Sequence, residues 1–286
     1  MLMPLHAAIR RRPRLRAALL PWWIHLRHLG WHVRNIVTLR SPVMYPAGGA
    51  PAMLYPEGQI PQVLWEANFE ENERDFVVAY LRPGMRVINV GANVGLYAVL
   101  ASILVGQSGL VHVFEPSSLT FARLQRNLKL NKCRNVIASR IALSDANGTL
   151  VLRVDSHHPS YDGHRFVEKT DSIPHLLPTD ELVECHTLDE YLAERGKTTF
   201  DLMIIDVEGA EYAVLKGAMN ALAQKDATLM LECSKNQVET EALLRGMGYR
   251  FWSWDKSAQI LVSADFRALA EKGNVIARRQ AWSSPG

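Results

Sequence analysis

The stretch Arg86-Val-Ile-Asn-Val-Gly-Ala-Asn-Val-Gly-Leu-Tyr97 constrains the fold more than any other part of the chain. Val87, Ile88 and Val90 form a short apolar run of β-formers, which predicts a buried strand. Gly91 and Gly95 then bracket a turn, and Leu96 to Leu100 open a helix. A glycine directly after a strand lets the backbone turn sharply and lets a ligand approach without a Cβ in the way. The helix that follows points its unpaired N–H groups and the positive end of its dipole at that ligand. About 20 residues further on, a second apolar run, Leu110 to Phe114, ends in Glu115-Pro116. This is the spacing with which a βαβ unit sets a carboxylate beside a ribose bound over its first turn.

The glycines discriminate between ligands. A dinucleotide site needs Gly-x-Gly-x-x-Gly, because the middle glycine lets the pyrophosphate touch the backbone. Here that position is Asn93, which disfavours a nicotinamide-dependent oxidoreductase. The stretch instead resembles motif I of the class I methyltransferases that use S-adenosylmethionine, and Glu115 then corresponds to the acidic residue that holds the ribose hydroxyls.

The remainder of the body alternates strands and helices. Strands are expected at 110–114, 135–141, 150–154, 182–185, 200–206 and 227–232. Helices are expected at 62–82, 117–130, 211–223 and 236–246, the second starting at Ser117-Ser118. Tyr249 to Trp254 and Gln259 to Val262 flank a four-residue turn and predict a closing hairpin. Such alternation gives an α/β, doubly wound, mostly parallel sheet with an antiparallel C-terminal edge. Thr187-Leu-Asp-Glu190 fits a helix capping box. The polar stretch 155–180, which carries His157, His158, His164 and His175, is expected to form a loop or lid over the site. Its histidines lack metal-ligand spacing.

Further segments carry a more specific resemblance. Val87-Ile-Asn-Val-Gly-Ala-Asn-Val-Gly95, Phe114-Glu-Pro116, Ala142-Leu-Ser-Asp145, Thr187-Leu-Asp189, Asp206-Val-Glu-Gly-Ala-Glu211 and Val214-Leu-Lys-Gly217 resemble, in order, the FkbM family of S-adenosylmethionine-dependent methyltransferases. The resemblance covers roughly residues 84–235. It implies the class I methyltransferase fold, a seven-stranded sheet with extra strands in the 149–186 insertion. It further implies methyl transfer to a hydroxyl of a sugar, glycolipid or polyketide-like metabolite. It assigns Asn89, Gly91, Asn93 and Gly95 to the methionine end of the cofactor, Glu115 to the ribose, and Ser144 and Asp145 to the adenine. Asp206 and Glu208 lie past a central strand, where one of them can serve as general base and Asp206 can orient the cofactor amine. Two positions depart from the family, which usually has Asp at Asn89 and Lys at Ile204. Asn89 therefore also motivates an alternative, a catalytically weak or inactive module that keeps the fold and binds the cofactor. Asp206 and Glu232 end neighbouring strands, as in metal-dependent O-methyltransferases, but two carboxylates without a third ligand do not define a Mg²⁺ site.

Charge divides the chain. No Asp or Glu occurs before Glu57, and that segment holds eight arginines, whereas the rest carries 24 basic against 29 acidic side chains. Residues 1–60 are therefore expected to form a basic helical extension and a Pro/Gly-rich linker, and residues 61–280 the methyltransferase domain. Within 1–40, Leu15, Leu19, Trp22, Leu26, Leu29, Val33 and Ile36 recur at helical spacing. Two placements suit such a helix: its apolar stripe packed on the body, or peripheral contact with an anionic membrane. The segment lacks a nucleic-acid-binding fold, and no nucleic-acid partner is expected. Cys133, Cys185 and Cys233 are odd in number and widely spaced, which favours a reducing, cytoplasmic setting.

Overall fold

The computed structural model describes residues 26–57, 59–67, 69–154, 164–167, 180–196, 199–232, 235–271 and 273–282. Residues 26–37 form helix α1. A hairpin follows, β1 (Val43–Ala47) and β2 (Ala50–Leu54), then helices α2 (Gln59–Ala67) and α3 (Glu71–Tyr80). The Pro/Gly-rich stretch 41–61 is thus not a linker. Gly48 and Gly49 take φ of 57° and 95°, the two left-handed residues of a tight hairpin turn. Pro46 pairs with Pro51 across the ladder, which a two-stranded ribbon tolerates because its outer edges need no partner. Tyr45, Ala47, Ala52 and Leu54 are buried in the main core. The Tyr45 hydroxyl donates to the Leu96 carbonyl at 2.8 Å. Asn127 and Asn131 accept the Tyr55 and Met53 N–H groups at 2.9 and 2.8 Å. The expected helix 62–82 is broken before α3, where Glu70 adopts φ +48°.

The body continues through β3 (Arg86–Val90), α4 (Leu96–Val105), β4 (Leu110–Phe114), α5 (Ser118–Leu130) and β5 (Val136–Ser139). Next come β6 (Ala142–Leu143), β7 (Gly148–Val154), β8 (His164–Val167) and β9 (Glu181–His186), then α6 (Leu188–Ala193), β10 (Leu202–Ile205), α7 (Glu211–Lys216) and α8 (Met219–Gln224). The chain closes with β11 (Thr228–Glu232), α9 (Gln237–Gly246), β12 (Arg250–Asp255), β13 (Ile260–Ser263), α10 (Phe266–Ala270) and β14 (Asn274–Arg278). The main sheet has the order β13-β12-β14-β11-β10-β3-β4-β5. The five strands from β5 to β11 are parallel. The doubly wound, mostly parallel α/β class expected from the alternation is therefore present.

The C-terminal edge holds one strand more than the seven expected. β12 and β13 form the anticipated hairpin, but β14 inserts between β12 and β11, antiparallel to both. Val275 and Ala277 face one core layer and Ile276 the other. A second sheet, β6-β9-β7-β8, builds the insertion between β5 and α6. Most of the expected lid 155–180, with His157, His158 and His175, lies outside the described residues. Pleating sends alternate residues of the main sheet into two layers. Val87, Val113, Ile204 and Met230 pack toward α3 and α4, and Ile88, Val90, Ile205 and Leu231 pack toward α6, α7 and α9.

Three of the motif segments meet away from the sheet. The expected helix 211–223 is split at Gly217, where any Cβ would overlap the Ser144 carbonyl oxygen. The Gly217 carbonyl accepts the Asp189 N–H at 2.9 Å. The Asp189 carboxylate in turn caps α8, accepting the N–H groups of Asn220 and Ala221 at 2.9 and 2.8 Å. Thr187 Oγ1 accepts the Glu190 N–H, as a capping box requires. The return bond is relayed: Asn147 donates to the Glu190 carboxylate and accepts the Thr187 N–H. These segments form a clasp that fixes the loop after β6.

Candidate cofactor and active site

Every element of the site lies at the carboxyl end of the parallel strands, where an open α/β sheet binds ligands. Gly91 takes φ +73°, and a Cβ there would overlap the Asp206 carbonyl oxygen, so only glycine lets the turn after β3 close onto the end of β10. The N–H groups of Gly91 and Ala92 both donate to the Phe114 carbonyl at 3.0 Å. Asn93 is also left-handed, at φ +50°, a conformation asparagine accepts more readily than most residues. Its N–H donates to Glu115 Oε2 at 2.9 Å, and its Oδ1 accepts the Val94 N–H at 2.7 Å. Glu115 Oε1 accepts the Ser117 N–H at 3.0 Å. The Glu115 carboxylate is thus 4% exposed and fixed through both oxygens. Gly95, at φ +98°, starts α4.

A cleft runs over this turn. Val90, Gly91 and Asn93 form one wall, Phe114, Glu115 and Pro116 another, and Asp206, Val207 and Glu208 a third. Ile141, Ala142, Leu143 and Leu152 add an apolar end. The cleft encloses about 60 Å³. Ser144 and Asp145 sit just beyond the apolar end and do not line it. The Ser144 N–H donates to the His186 carbonyl, Ser144 Oγ lies 3.4 Å from Asp145 Oδ1, and Asp145 pairs with Lys216 at 3.1 Å. Ile141, Ala142, Leu143 and Leu152 line that end instead.

The third wall is acidic. Asp206 follows β10 and Glu232 ends the adjacent strand β11, close enough for their charges to interact. Burial, then the charges of Glu232 and Glu70, push the Asp206 carboxyl well above the ordinary carboxylate range. Glu70 is pushed up to about 7, mainly by burial, and accepts the Tyr97 hydroxyl at 2.5 Å. Glu208 lies at φ +53° on the exposed rim of the cleft. Glu211, fully buried, braces the loop beneath by accepting the Gly209 N–H at 2.9 Å. Sequence reasoning missed Glu70, which belongs to no motif and stands near the site because the chain breaks before α3, and gave no role to Tyr97 at the end of the central stretch. Among the described residues, no group of three or more His, Cys, Asp or Glu is placed to hold a metal.

Asn89 stands apart from the other expected residues. It is 2% exposed, lies within β3 and does not line the cleft. Its Cα partners are Ile204 on β10 and Val113 on β4. Its Oδ1 has no hydrogen-bond partner. It supports the turn from behind rather than offering a ligand contact.

Known proteins match this architecture. A family profile described as "Methyltransferase FkbM domain" matches residues 89–251. The chain is 31% identical over 197 residues to 31-O-demethyl-FK506 methyltransferase FkbM from Streptomyces tacrolimicus, covering 59% of this chain and 74% of that one. It is 25% identical over 238 residues to hexuronic acid methyltransferase AglP from Haloferax volcanii, covering 75% and 90%. A crystal structure of Methyltransferase FkbM from Methylobacillus flagellatus KT superposes with a TM-score of 0.45 at 13% identity, covering 86% of this chain and 59% of that chain.

Proposed function

The chain belongs to the FkbM methyltransferase family, and from that premise we propose that it transfers a methyl group from S-adenosylmethionine to a hydroxyl oxygen of a sugar, glycolipid or polyketide-like metabolite. The observation that carries the reading is the pairing of an anchored Glu115 on one side of the cleft with the acidic wall on the other. Glu115 suits a pair of ribose hydroxyls, because its two oxygens are held in place at the cleft wall by the Asn93 and Ser117 N–H groups. The acidic wall suits a cation, because a positive charge in a poorly solvated pocket favours the ionised carboxylates that burial otherwise opposes. The apolar end suits a flat heterocycle. S-adenosylmethionine supplies an electrophilic methyl on its sulfonium, so the protein's tasks are binding, orientation and proton removal.

Within that division of labour the two carboxylates after β10 take different roles. Asp206, surrounded by the like charges of Glu232, Glu70 and Glu208, holds its proton until a cation arrives and is a poor base. It orients the cationic end of the cofactor instead. Glu208, on the exposed rim and among the cleft residues, is the carboxylate an incoming acceptor meets. It accepts the proton that the hydroxyl loses as the oxygen attacks. The names of the two relatives, one a 31-O-demethyl compound's methyltransferase and the other a hexuronic acid methyltransferase, support an oxygen acceptor on a metabolite or sugar.

The test is calorimetric titration with S-adenosylhomocysteine, followed by turnover on hydroxylated glycans, lipids and macrolides. Saturable binding, lost in Glu115→Ala, is expected. Glu208→Gln should keep that binding and lower turnover roughly 10²- to 10⁴-fold, the usual worth of a positioned base. A wild-type chain that ignores the nucleoside, or a Glu208→Gln enzyme with unchanged turnover, defeats the corresponding half of the reading.

A further inference from the structure

Helix α1 is mounted the wrong way round for a globular protein. An ordinary surface helix turns its apolar stripe to the core and its charges to water. Here Leu26, Leu29, Val33, Ile36 and Val37 are 51% to 76% exposed. At 100° per residue these five positions fall within one stripe about 100° wide. The opposite face does the docking. Trp31 is buried. The Arg34 guanidinium donates to the carbonyls of Ser41 and Pro42 at 2.6 and 2.9 Å, and it lies 5.5 Å from the ring centres of both Trp31 and Trp65. His28 is bonded to Gln62 of α2 at 3.0 Å. The polar face thus has specific partners in the body, while the apolar face has none among the described residues and is continued by exposed Leu39 and Met44.

We propose that this outward face lies on the surface of an anionic lipid bilayer. Two further observations select that occupant. The first is charge: the 56 residues before Glu57 hold eight arginines and no acid, and α1 with the turn after it carries Arg27, Arg34 and Arg40, so a second copy of the chain docked here would set like charges against each other. An anionic bilayer accepts both the apolar stripe and the positive charge at one surface. The second is a cleft on the flank of α1, lined by His32, Asn35, Ile36 and Arg40 together with Glu57 and with Arg123 of α5; Glu57 is paired with Arg126 at 2.7 Å, so the arginines leave the cleft net positive. A cationic recess bordering an apolar stripe is the arrangement a phospholipid needs, with its phosphate beside the arginines and its acyl chains beside the stripe. At 1.5 Å per residue the described part of α1 extends about 18 Å, enough to lie in the headgroup plane. Among the described residues no helix is long and apolar enough to cross a membrane. Since α1 is tied to α2 and the hairpin, and Tyr45 of β1 bonds the first residue of α4, docking fixes the body relative to the bilayer.

The experiment is flotation of the full chain with vesicles of phosphatidylcholine alone or with about one-third phosphatidylglycerol. It is repeated at low and high salt, for the wild type and for Leu29→Glu/Ile36→Glu. Both substituted positions are solvent-exposed, so the melting temperature should stay unchanged and report that the variant folds. Expected are binding to the anionic vesicles only, loss of at least tenfold on raising the salt, and at least tenfold weaker binding by the variant. Equal binding by wild type and variant overturns the proposal, as does equal binding to neutral and anionic vesicles. Absence of binding overturns it too: a concentration-dependent dimer in sedimentation would then assign the face to a second copy, and a monomer would assign it to residues 1–25 of the same chain.

Discussion

Replacing Glu70 with glutamine should make the protein more stable, and the gain should grow as pH rises from about 4.5 to 7 and level off above that. Glu70 sits at the break before α3, buried beside Asp206 and Glu232, and accepts a 2.5 Å hydrogen bond from Tyr97. Its pKa is pushed up to about 7 from an ordinary 4.5. A carboxylate whose folded pKa is raised stabilises the fold below its unfolded pKa, and that contribution is lost as pH rises through the folded value. Between about pH 4.5 and 7 the unfolded chain has released this proton while the folded chain retains it, so stability falls with pH across that window. A tenfold difference in proton affinity is worth about 1.4 kcal/mol, so the complete loss is about 3 kcal/mol above pH 8. Glutamine imitates the protonated acid: it has no charge to desolvate, and its carbonyl still accepts the Tyr97 hydroxyl. Urea unfolding at pH 4, 6, 7 and 8 should therefore give nearly superimposable curves for wild type and Glu70→Gln at pH 4. The curves should separate progressively to about 3 kcal/mol at pH 8. A constant offset at every pH would show that the charge is not the cause. A Glu70→Gln protein less stable than wild type at pH 8 would show that Glu70 is ionised and paired in the fold, and would sink the account of the acidic wall. The same linkage makes S-adenosylmethionine, with its sulfonium and ammonium, bind more tightly to the wild type as pH rises from 6 to 8, and Glu70→Gln should flatten that dependence.

Gly217→Ala forces a methyl against the Ser144 carbonyl and must push the loop after β6 away from α7. Overpacking of this kind costs about 1–3 kcal/mol, read as a fall of several degrees in melting temperature, and wild-type stability would show that the clasp is loose. Asn89→Asp alone buries a charge between Val113 and Ile204 and should destabilise by about 3 kcal/mol or raise that carboxyl's pKa steeply. Adding Ile204→Lys should recover much of the loss in chemical denaturation, and additive losses in the double variant would exclude a direct pairing.

The parts of the fold that the sequence announced are those whose signal is local. Val87 to Val90 and Leu110 to Phe114 are continuous apolar runs ended by glycine or Glu-Pro, and their strands begin and end within a residue of the expected bounds. Ser117 caps α5 as its position suggested, with its Oγ accepting the Thr120 N–H. The parts that stayed hidden depend on tertiary neighbours. β14 is five residues with a short apolar centre, and it becomes a strand because β11 and β12 leave a slot between them. Hairpin β1–β2 carried its own signal in Gly48-Gly49, but three prolines around it imitate a linker. Nothing in the spacing of α1 tells which face docks. That choice is made by Trp65, Gln62 and the carbonyls of Ser41 and Pro42, which offer partners to Trp31, His28 and Arg34 and none to the leucines.

The two departures from the family pattern illustrate what register adds to a sequence. Read along the chain, Asn89 and Ile204 are unrelated, and each suggests a weakened enzyme by itself. Read across the sheet, they are Cα partners on β3 and β10, on the face that packs toward α3 and α4. The residues that the resemblance implies there, Asp and Lys, would stand opposite each other as a buried ion pair. Such a pair is costly to desolvate and can be exchanged for uncharged residues with little change in stability, whereas losing one member leaves an uncompensated charge. Asn with Ile is that exchange made at both positions, with Asn89 Oδ1 as the remaining unpartnered atom. The substitution lies behind the cleft wall and leaves Gly91, Asn93, Glu115, Asp206 and Glu208 lining it. Asn89 therefore records a change of support under the turn after β3, and gives no ground for reading the site as inactive.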